Sequence, residues 1–210
     1  MTKLQLACDM TSIEVLMEMM PGLVKYVDIF EMGTPMCLMN GVNSVSHVHA
    51  KYPEKEILAD AKIFDGGELE SLIYIDAGAS YVTVMSRTNN QTIKACADAC
   101  HSRGAMCVVD MMCETDFTRR VPELEALGAD ILAVHVAYDD YMETGMTPLK
   151  SLEALTKVVK RAKTAVAGGI KLDNVQNYLK FNPEIIIVGG GILNAQDPID
   201  MARQFAEAIH

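Results

Sequence analysis

Seven ionisable side chains stand at or just past the ends of short apolar runs in this 210-residue chain, and their types suit proton transfer beside a bound cation. They are Asp9 after LQLAC, Glu31 in YVDIFEMG, Asp60, Lys62 and Asp65 in DAKIFD, Asp110 in MCVVDMM, and His135 closing DILAVH. A neutral imidazole is suited to general base or acid work near pH 7. A lysine flanked by carboxylates stays protonated, which disfavours a Schiff base and offers fixed positive charge to a developing anion. Glu31 and Asp60 are hard oxygen ligands of the kind Mg²⁺ takes, one or two carboxylates with water or substrate completing the shell. Taken singly each residue has a bland role: a carboxylate capping the next helix, a solvated lysine, a structural histidine. Gathering them all at one place without a task would be costly, because charges removed from water must be paired.

Two glycine clusters complement these groups. TAVAGG ends in Gly168 and Gly169, and IIIVGGG carries Gly189 and Gly190. Glycines after a strand let backbone N–H groups approach an anion closely, with help from a following helix N-terminus. The formal net charge of −10 makes such a device necessary. A surface that acidic repels nucleic acid and anionic membranes, so neither is an expected partner, and an anionic substrate must be held by a local feature. An anion site on one side and a pair of metal-chelating oxygens on the other describe a small phosphorylated keto sugar.

The elements that must position these residues are legible as a rhythm. Apolar runs at 4–9, 26–33, 56–62, 81–85, 106–112, 130–135, 163–169 and 184–191 are short, continuous and rich in Val, Ile and Leu, as parallel strands buried on both faces are. Amphipathic stretches of helical length lie between them, for example 91–103, 116–127 and 197–209. Thr11 or Ser12, Asn90, Asp116, Asp173 and Asp197 followed by Pro198 are expected caps, and Gly104 and Gly128 sit where helices should stop. Eight strand–helix units without a linker predict one α/β domain over 1–210, a compact (β/α)₈ TIM barrel. In that fold the active site lies at the carboxyl ends of the strands, where the ionisable residues fall.

The chain has neither a signal-peptide core nor a run of membrane-spanning length, and its six cysteines include no C-x-x-C pair. It is expected in the reducing cytoplasm. Cys96 and Cys100, four apart, read as small buried residues on one helix face. The methionines around the first two helices read as core filling or a dimer surface. His47 and His49, two apart on a predicted helix, point to different sides and do not make a metal pair.

DAKIFD fits the D-x-K-x-x-D signature of the orotidine-monophosphate decarboxylase superfamily, and LQLACD, VDIFEMGTP, VVDMM, VHVAYD, TAVAGGIKLD and IIIVGGGI match in order along the whole chain. Within that superfamily the chain resembles the hexulose-phosphate synthase branch. The resemblance implies that Glu31 and Asp60 bind Mg²⁺ and that Lys62 stabilises an enediolate. It also implies that Asp9 and Asp110 contact substrate hydroxyls or organise Lys62, that His135 is the base and acid, and that Gly168, Gly169, Gly189 and Gly190 hold phosphate. Asp65 is expected to reach the neighbouring subunit's site, so that a homodimer shares its active sites. The implied reaction is Mg²⁺-dependent, reversible addition of formaldehyde to D-ribulose 5-phosphate, giving D-arabino-hex-3-ulose 6-phosphate. The nearest alternative is the 3-keto-L-gulonate-6-phosphate decarboxylase branch, which works through the same intermediate. That branch has arginines where this chain has Tyr138 and Gly190, and a glutamate in place of Asp110. An alternative of another kind is a protein that binds a sugar phosphate without turning it over.

Overall fold

The computed structural model describes residues 1–10, 12–144 and 147–210. Its elements run β1 (Lys3–Cys8), α1 (Ile13–Leu23), β2 (Ile29–Met32), α2 (Thr34–Asn40), α3 (Asn43–Lys51), β3 (Glu56–Ile63), α4 (Gly67–Asp76), β4 (Tyr81–Met85) and α5 (Asn90–Ser102). They continue with β5 (Met106–Asp110), α6 (Phe117–Leu127), β6 (Ile131–His135), α7 (Tyr138–Thr144), α8 (Leu149–Thr156), β7 (Lys163–Ala167), α9 (Val175–Leu179), β8 (Ile185–Val188), α10 (Gly190–Leu193) and α11 (Pro198–Ile209). Each strand pairs in parallel with the next, and β1 closes on β8, making the expected eight-stranded barrel.

Alternation along each strand separates two cores. Outward residues such as Leu4, Leu6, Phe30, Val82, Val109, Leu132, Val166 and Ile186 pack beneath the helices. Inward residues Ile29, Leu58, Tyr81, Val108, Ile131, Ala165 and Ile185 fill the barrel itself. Because side chains alternate with period two, the inward positions that follow toward the carboxyl ends include Glu31, Asp60, Thr83, Asp110 and, beyond Ala133, His135. The middle of the barrel is therefore mostly hydrocarbon and the layer at the carboxyl ends is polar. At the opposite, amino-terminal end Lys3 Nζ lies 2.6 Å from Glu56 Oε2 and 3.3 Å from the Tyr81 hydroxyl.

The caps fall largely where the sequence places them, with two corrections. Asp116 and Asp197 accept from N–H groups of their helices' first turns, and Gly128 ends α6 in a left-handed conformation. Thr11 lies outside the described residues, and Ser12 caps α1. Asn89, not Asn90, caps α5, taking the Thr92 N–H at 2.9 Å, while the Asn90 side chain is bonded by Arg120. Asp173 does not cap α9. The chain turns so tightly after Gly169 that Asn174 closes the turn instead, accepting from Lys171 N and donating to the Gly169 carbonyl. Several strands are shorter than expected. β5 stops at Asp110, for instance, because its carboxylate takes the Met112 N–H at 2.8 Å and turns the chain outward. Cys96 and Cys100 are buried, as are Met20, Met32 and Met36, so the core-filling readings hold for these. No helix among the described residues is long and apolar enough to cross a membrane.

Candidate active site at the barrel mouth

The geometry of the mouth is set by an irregularity in β3. Its pairing with β4 runs Ala59↔Val82 and then Ile63↔Val84, so the chain between holds extra residues. Lys62 absorbs the excess with φ 46°, a left-handed conformation that costs a non-glycine residue roughly 1–2 kcal/mol. The buried Thr83 hydroxyl accepts from Lys62 N at 2.9 Å and donates to Asp60 Oδ1 at 2.9 Å. Two such bonds, at about 1 kcal/mol each, are of the size needed to offset that strain.

Lys62 Nζ is thereby delivered onto Asp60 Oδ2, with Asp110 Oδ2 at 3.6 Å. Thr34, at the start of α2, donates to the same Asp60 oxygen at 2.7 Å. Burial works against the Lys62 charge, but Asp60 and Asp110 outweigh it and hold the ammonium well above the ordinary lysine range. Asp110 is 4% exposed; burial pushes its carboxyl up, yet His135, Lys62 and the Met112 N–H more than compensate and hold it below the usual range. His135 Nδ1 lies 3.0 Å from Asp110 Oδ2. In the neutral ring, an ionised partner there favours the tautomer with the proton on Nδ1 and the lone pair on Nε2.

Glu31 is 8% exposed and bonded by Gln5 Nε2 at 2.6 Å. Burial, together with the charges of Asp60 and Asp9, pushes its carboxyl up to about 8. Asp9 sits at the open rim between two glycines: a Cβ on Gly33 would lie 2.2 Å from its Oδ1 and one on Gly189 3.1 Å from its Oδ2. Partial desolvation and the Asp60 charge raise the Asp9 carboxyl, against the pull of Lys62 and His135.

Six of the seven ionisable candidates thus come together: Asp9, Glu31, Asp60, Lys62, Asp110 and His135. Asp65 does not join them within one chain. Ile63 turns back into the wall and Phe64 and Asp65 run outward, where Asp65 Oδ1 takes the Gly66 N–H at 2.8 Å. The two glycine clusters differ from each other. Gly168 and Gly169, with φ 107° and 64°, form a left-handed turn beside an open cavity of about 660 Å³, lined by Tyr141, Thr147, Gly169, Lys171 and Asn174 among others. Gly189 makes room for Asp9 and the β1 backbone, and Gly190 for Asn194. The helices that follow, α9 and α10, span five and four residues, so the helix N-terminus expected to assist an anion is slight.

Sequence alone does not single out Gln5, Thr34, Thr83 or Lys171. The first and third carry a signal, since each is the polar inward residue of an otherwise apolar run, LQLAC and YVTVM. Thr34 and Lys171 lie in connections, where a polar residue is unremarkable before the fold is known.

A parallel barrel with an acid–lysine–histidine cluster at the carboxyl ends of its strands defines a (β/α)₈-barrel enzyme. The chain belongs to the orotidine 5′-phosphate decarboxylase / HUMPS family, whose model matches residues 2–205. It is 39% identical over 207 residues to 3-hexulose-6-phosphate synthase of Staphylococcus haemolyticus, covering 99% of this chain and 98% of that one. The crystal structure of 3-hexulose-6-phosphate synthase from Salmonella typhimurium superposes with a TM-score of 0.96 at 44% identity, covering 99% and 98% of the two chains. KGPDC from Streptococcus mutans, solved as a ligand complex, shares the fold at 23% identity, with a TM-score of 0.92 and coverage of 99% and 97%.

Proposed function

We propose that this chain catalyses the Mg²⁺-dependent, reversible aldol addition of formaldehyde to D-ribulose 5-phosphate, giving D-arabino-hex-3-ulose 6-phosphate. The observation that carries the reading is Asp110, which holds the His135 ring on one side and faces the Lys62 ammonium on the other. A base and a fixed positive charge so arranged suit proton removal next to a carbonyl. Relatives named for this synthase, 39% and 44% identical across nearly the whole chain, support the choice of reaction.

Mg²⁺ fits Glu31 and Asp60. Among the described residues no three His, Cys, Asp or Glu side chains gather into a ligand cage, and Mg²⁺ does not require one. Glu31 and Asp60 are hard donors crowded with Asp9 in a buried setting that pushes the Glu31 carboxyl up to about 8, a situation a cation relieves. The bound ion would supply Lewis-acid stabilisation to adjacent substrate oxygens.

The chain's own residues supply the rest. His135 Nε2 takes a proton from C1 while Asp110 holds Nδ1–H in place. Lys62 neutralises the negative charge that builds on the enediolate. C1 then attacks the formaldehyde carbon, and the proton held by His135 passes to the new alkoxide. Asp9, at the rim, meets sugar hydroxyls, and the Gly168–Gly169 turn with the β8 glycines receives the phosphate. We further propose that the active protein is a homodimer in which Asp65 serves the partner's site. Exposed Phe64, Leu69 and Ile73, with Leu38 and Met39 on α2, supply apolar surface for such a contact.

The decarboxylase reading shares the same intermediate but lacks its arginines: Tyr138 is largely exposed, and a Cβ on Gly190 would lie 2.9 Å from Asn194 Nδ2. A pure binding protein has no use for an oriented His–Asp pair. The deciding experiment assays purified protein with Mg²⁺ on D-ribulose 5-phosphate and formaldehyde, beside 3-keto-L-gulonate 6-phosphate. The synthase reaction is expected to be favoured. Faster decarboxylation, or saturable sugar-phosphate binding without proton exchange at C1, would overturn the reading.

A further inference from the structure

Thr83 is the polar residue of a strand that otherwise presents apolar side chains to the barrel, and it is 5% exposed. Its one hydroxyl makes two bonds to two parts of the same neighbouring segment: it accepts from Lys62 N and donates to Asp60 Oδ1, both at 2.9 Å. Both bonds fall where β3 and β4 lose register, between the Ala59↔Val82 and Ile63↔Val84 pairs. A regular ladder would give the Lys62 N–H a carbonyl partner on β4. Here a side chain takes it, which allows Lys62 to adopt φ 46°. The proton Thr83 donates also fixes the rotation of the Asp60 carboxylate, turning Oδ2 toward Lys62 Nζ and Thr34.

We propose that Thr83 is a positioning residue for the reaction, a hydroxyl clamp that sets the irregular turn of β3 and so aims Lys62 and Asp60 together. It touches no substrate atom and acts through those two residues. The inference rests on the reading that Lys62 and Asp60 serve the enediolate chemistry, but the geometric claim is separable from it. A hydroxyl is required and the methyl group is not. Valine keeps the shape of threonine and forms neither bond; serine keeps both bonds and loses only packing.

The test compares Thr83→Val, Thr83→Ala and Thr83→Ser in the full-length protein, with folding verified by circular dichroism and crystal structures of the variants. Thr83→Val is expected to lower kcat about 10- to 100-fold, as loss of a supporting hydrogen bond to a site group commonly does. The KM for D-ribulose 5-phosphate should change by less than about threefold, since a remote phosphate grip is untouched. Thr83→Ser should restore kcat to within about threefold of the parent. In the Thr83→Val crystal Lys62 should leave its positive φ, or the Asp60 carboxylate should rotate. If valine does not fold, alanine carries the same expectations. A folded hydroxyl-free variant with parental kcat, or a serine variant as impaired as valine, overturns the proposal. So does an unchanged Lys62–Asp60 geometry in the variant crystal, and that last readout decides the matter even if the parent proves inactive on both sugar phosphates.

Discussion

His135 Nδ1 lies 3.0 Å from Asp110 Oδ2, and that same oxygen stands 3.6 Å from Lys62 Nζ. One buried carboxylate therefore orients the candidate base and shares in holding the candidate cation. Asp110→Asn removes the charge from both while keeping the shape. It is expected to lower kcat about 10²- to 10³-fold with little change in KM. Exchange of the C1 proton of D-ribulose 5-phosphate into deuterated water, followed by NMR, should slow in parallel. Exchange at the parental rate would show that Asp110 does not serve the proton-transfer step.

Lys62 is surrounded by carboxylates that hold it protonated, which suits the proposed role of a fixed charge and not that of a nucleophile. Lys62→Ala should cost roughly 10²- to 10³-fold in kcat. Borohydride added during turnover should leave no mass adduct on the Lys62 peptide. A trapped adduct would replace this scheme with Schiff-base chemistry.

Glu31 links stability to pH and, through the proposed Mg²⁺ site, to the metal. Its folded pKa, about 8, lies above the ordinary 4.5, so the native state holds this proton more tightly than the unfolded chain does. The associated stability is complete below about pH 4.5 and is lost as pH rises through about 8. Metal-free protein should melt on the order of 5 °C lower at pH 9 than at pH 6 through this group. Glu31→Gln should flatten that slope, and Mg²⁺ should restore the melting temperature at pH 9. Chelation with EDTA should abolish turnover. A slope indifferent to Glu31→Gln, or full turnover in excess EDTA, would count against the assignment.

Arg120 is buried and reaches from α6 to the β4–α5 connection, donating to the Ser86 carbonyl through Nε (2.9 Å) and Nη2 (2.6 Å), and to Asn90 Oδ1 at 2.6 Å. In turn Thr88 Oγ1 on that connection donates to the Phe64 carbonyl, next to Asp65. Arg120→Met leaves buried carbonyls unpaired, at a cost of about 3 kcal/mol. The melting temperature should fall by roughly 5–10 °C, measured by calorimetry. A fall of only a degree or two would mean that the connection holds itself.

Asp65 is exposed in one chain, and its proposed role requires a second. Asp65→Ala and Lys62→Ala should each keep no more than about a hundredth of parental activity alone. Mixed and allowed to exchange, they should recover roughly a quarter of parental activity, because half of the dimers carry one intact composite site out of two. No recovery, together with a monomeric mass in solution, would return Asp65 to an ordinary turn.

The eight strands are readable in advance because a barrel strand buried on both faces must be continuously apolar, and the polar exceptions must then cluster at one end. Asp60, Asp110 and His135 fall on their strands as that rule requires. Asp65 escapes it, since position along the chain says nothing about which way a segment leaves a bulge. Gly189 shows a related limit. The sequence offers it as a phosphate contact, and the structure adds a separate demand, because the close approach of Asp9 already requires a residue without a Cβ.

By itself the amino-acid sequence determined the barrel, its polar mouth, and the residue types available for catalysis. These follow from periodicity and composition, which are local. Only the tertiary structure decided that Thr83 clamps Lys62 and Asp60, that one oxygen of Asp110 serves two partners, and that Asn174 closes the turn after Gly169. Each of those relationships depends on register, bulge or rotamer, set where strands and loops meet at distances of about 3 Å. None of these is encoded in the spacing of residues along the chain.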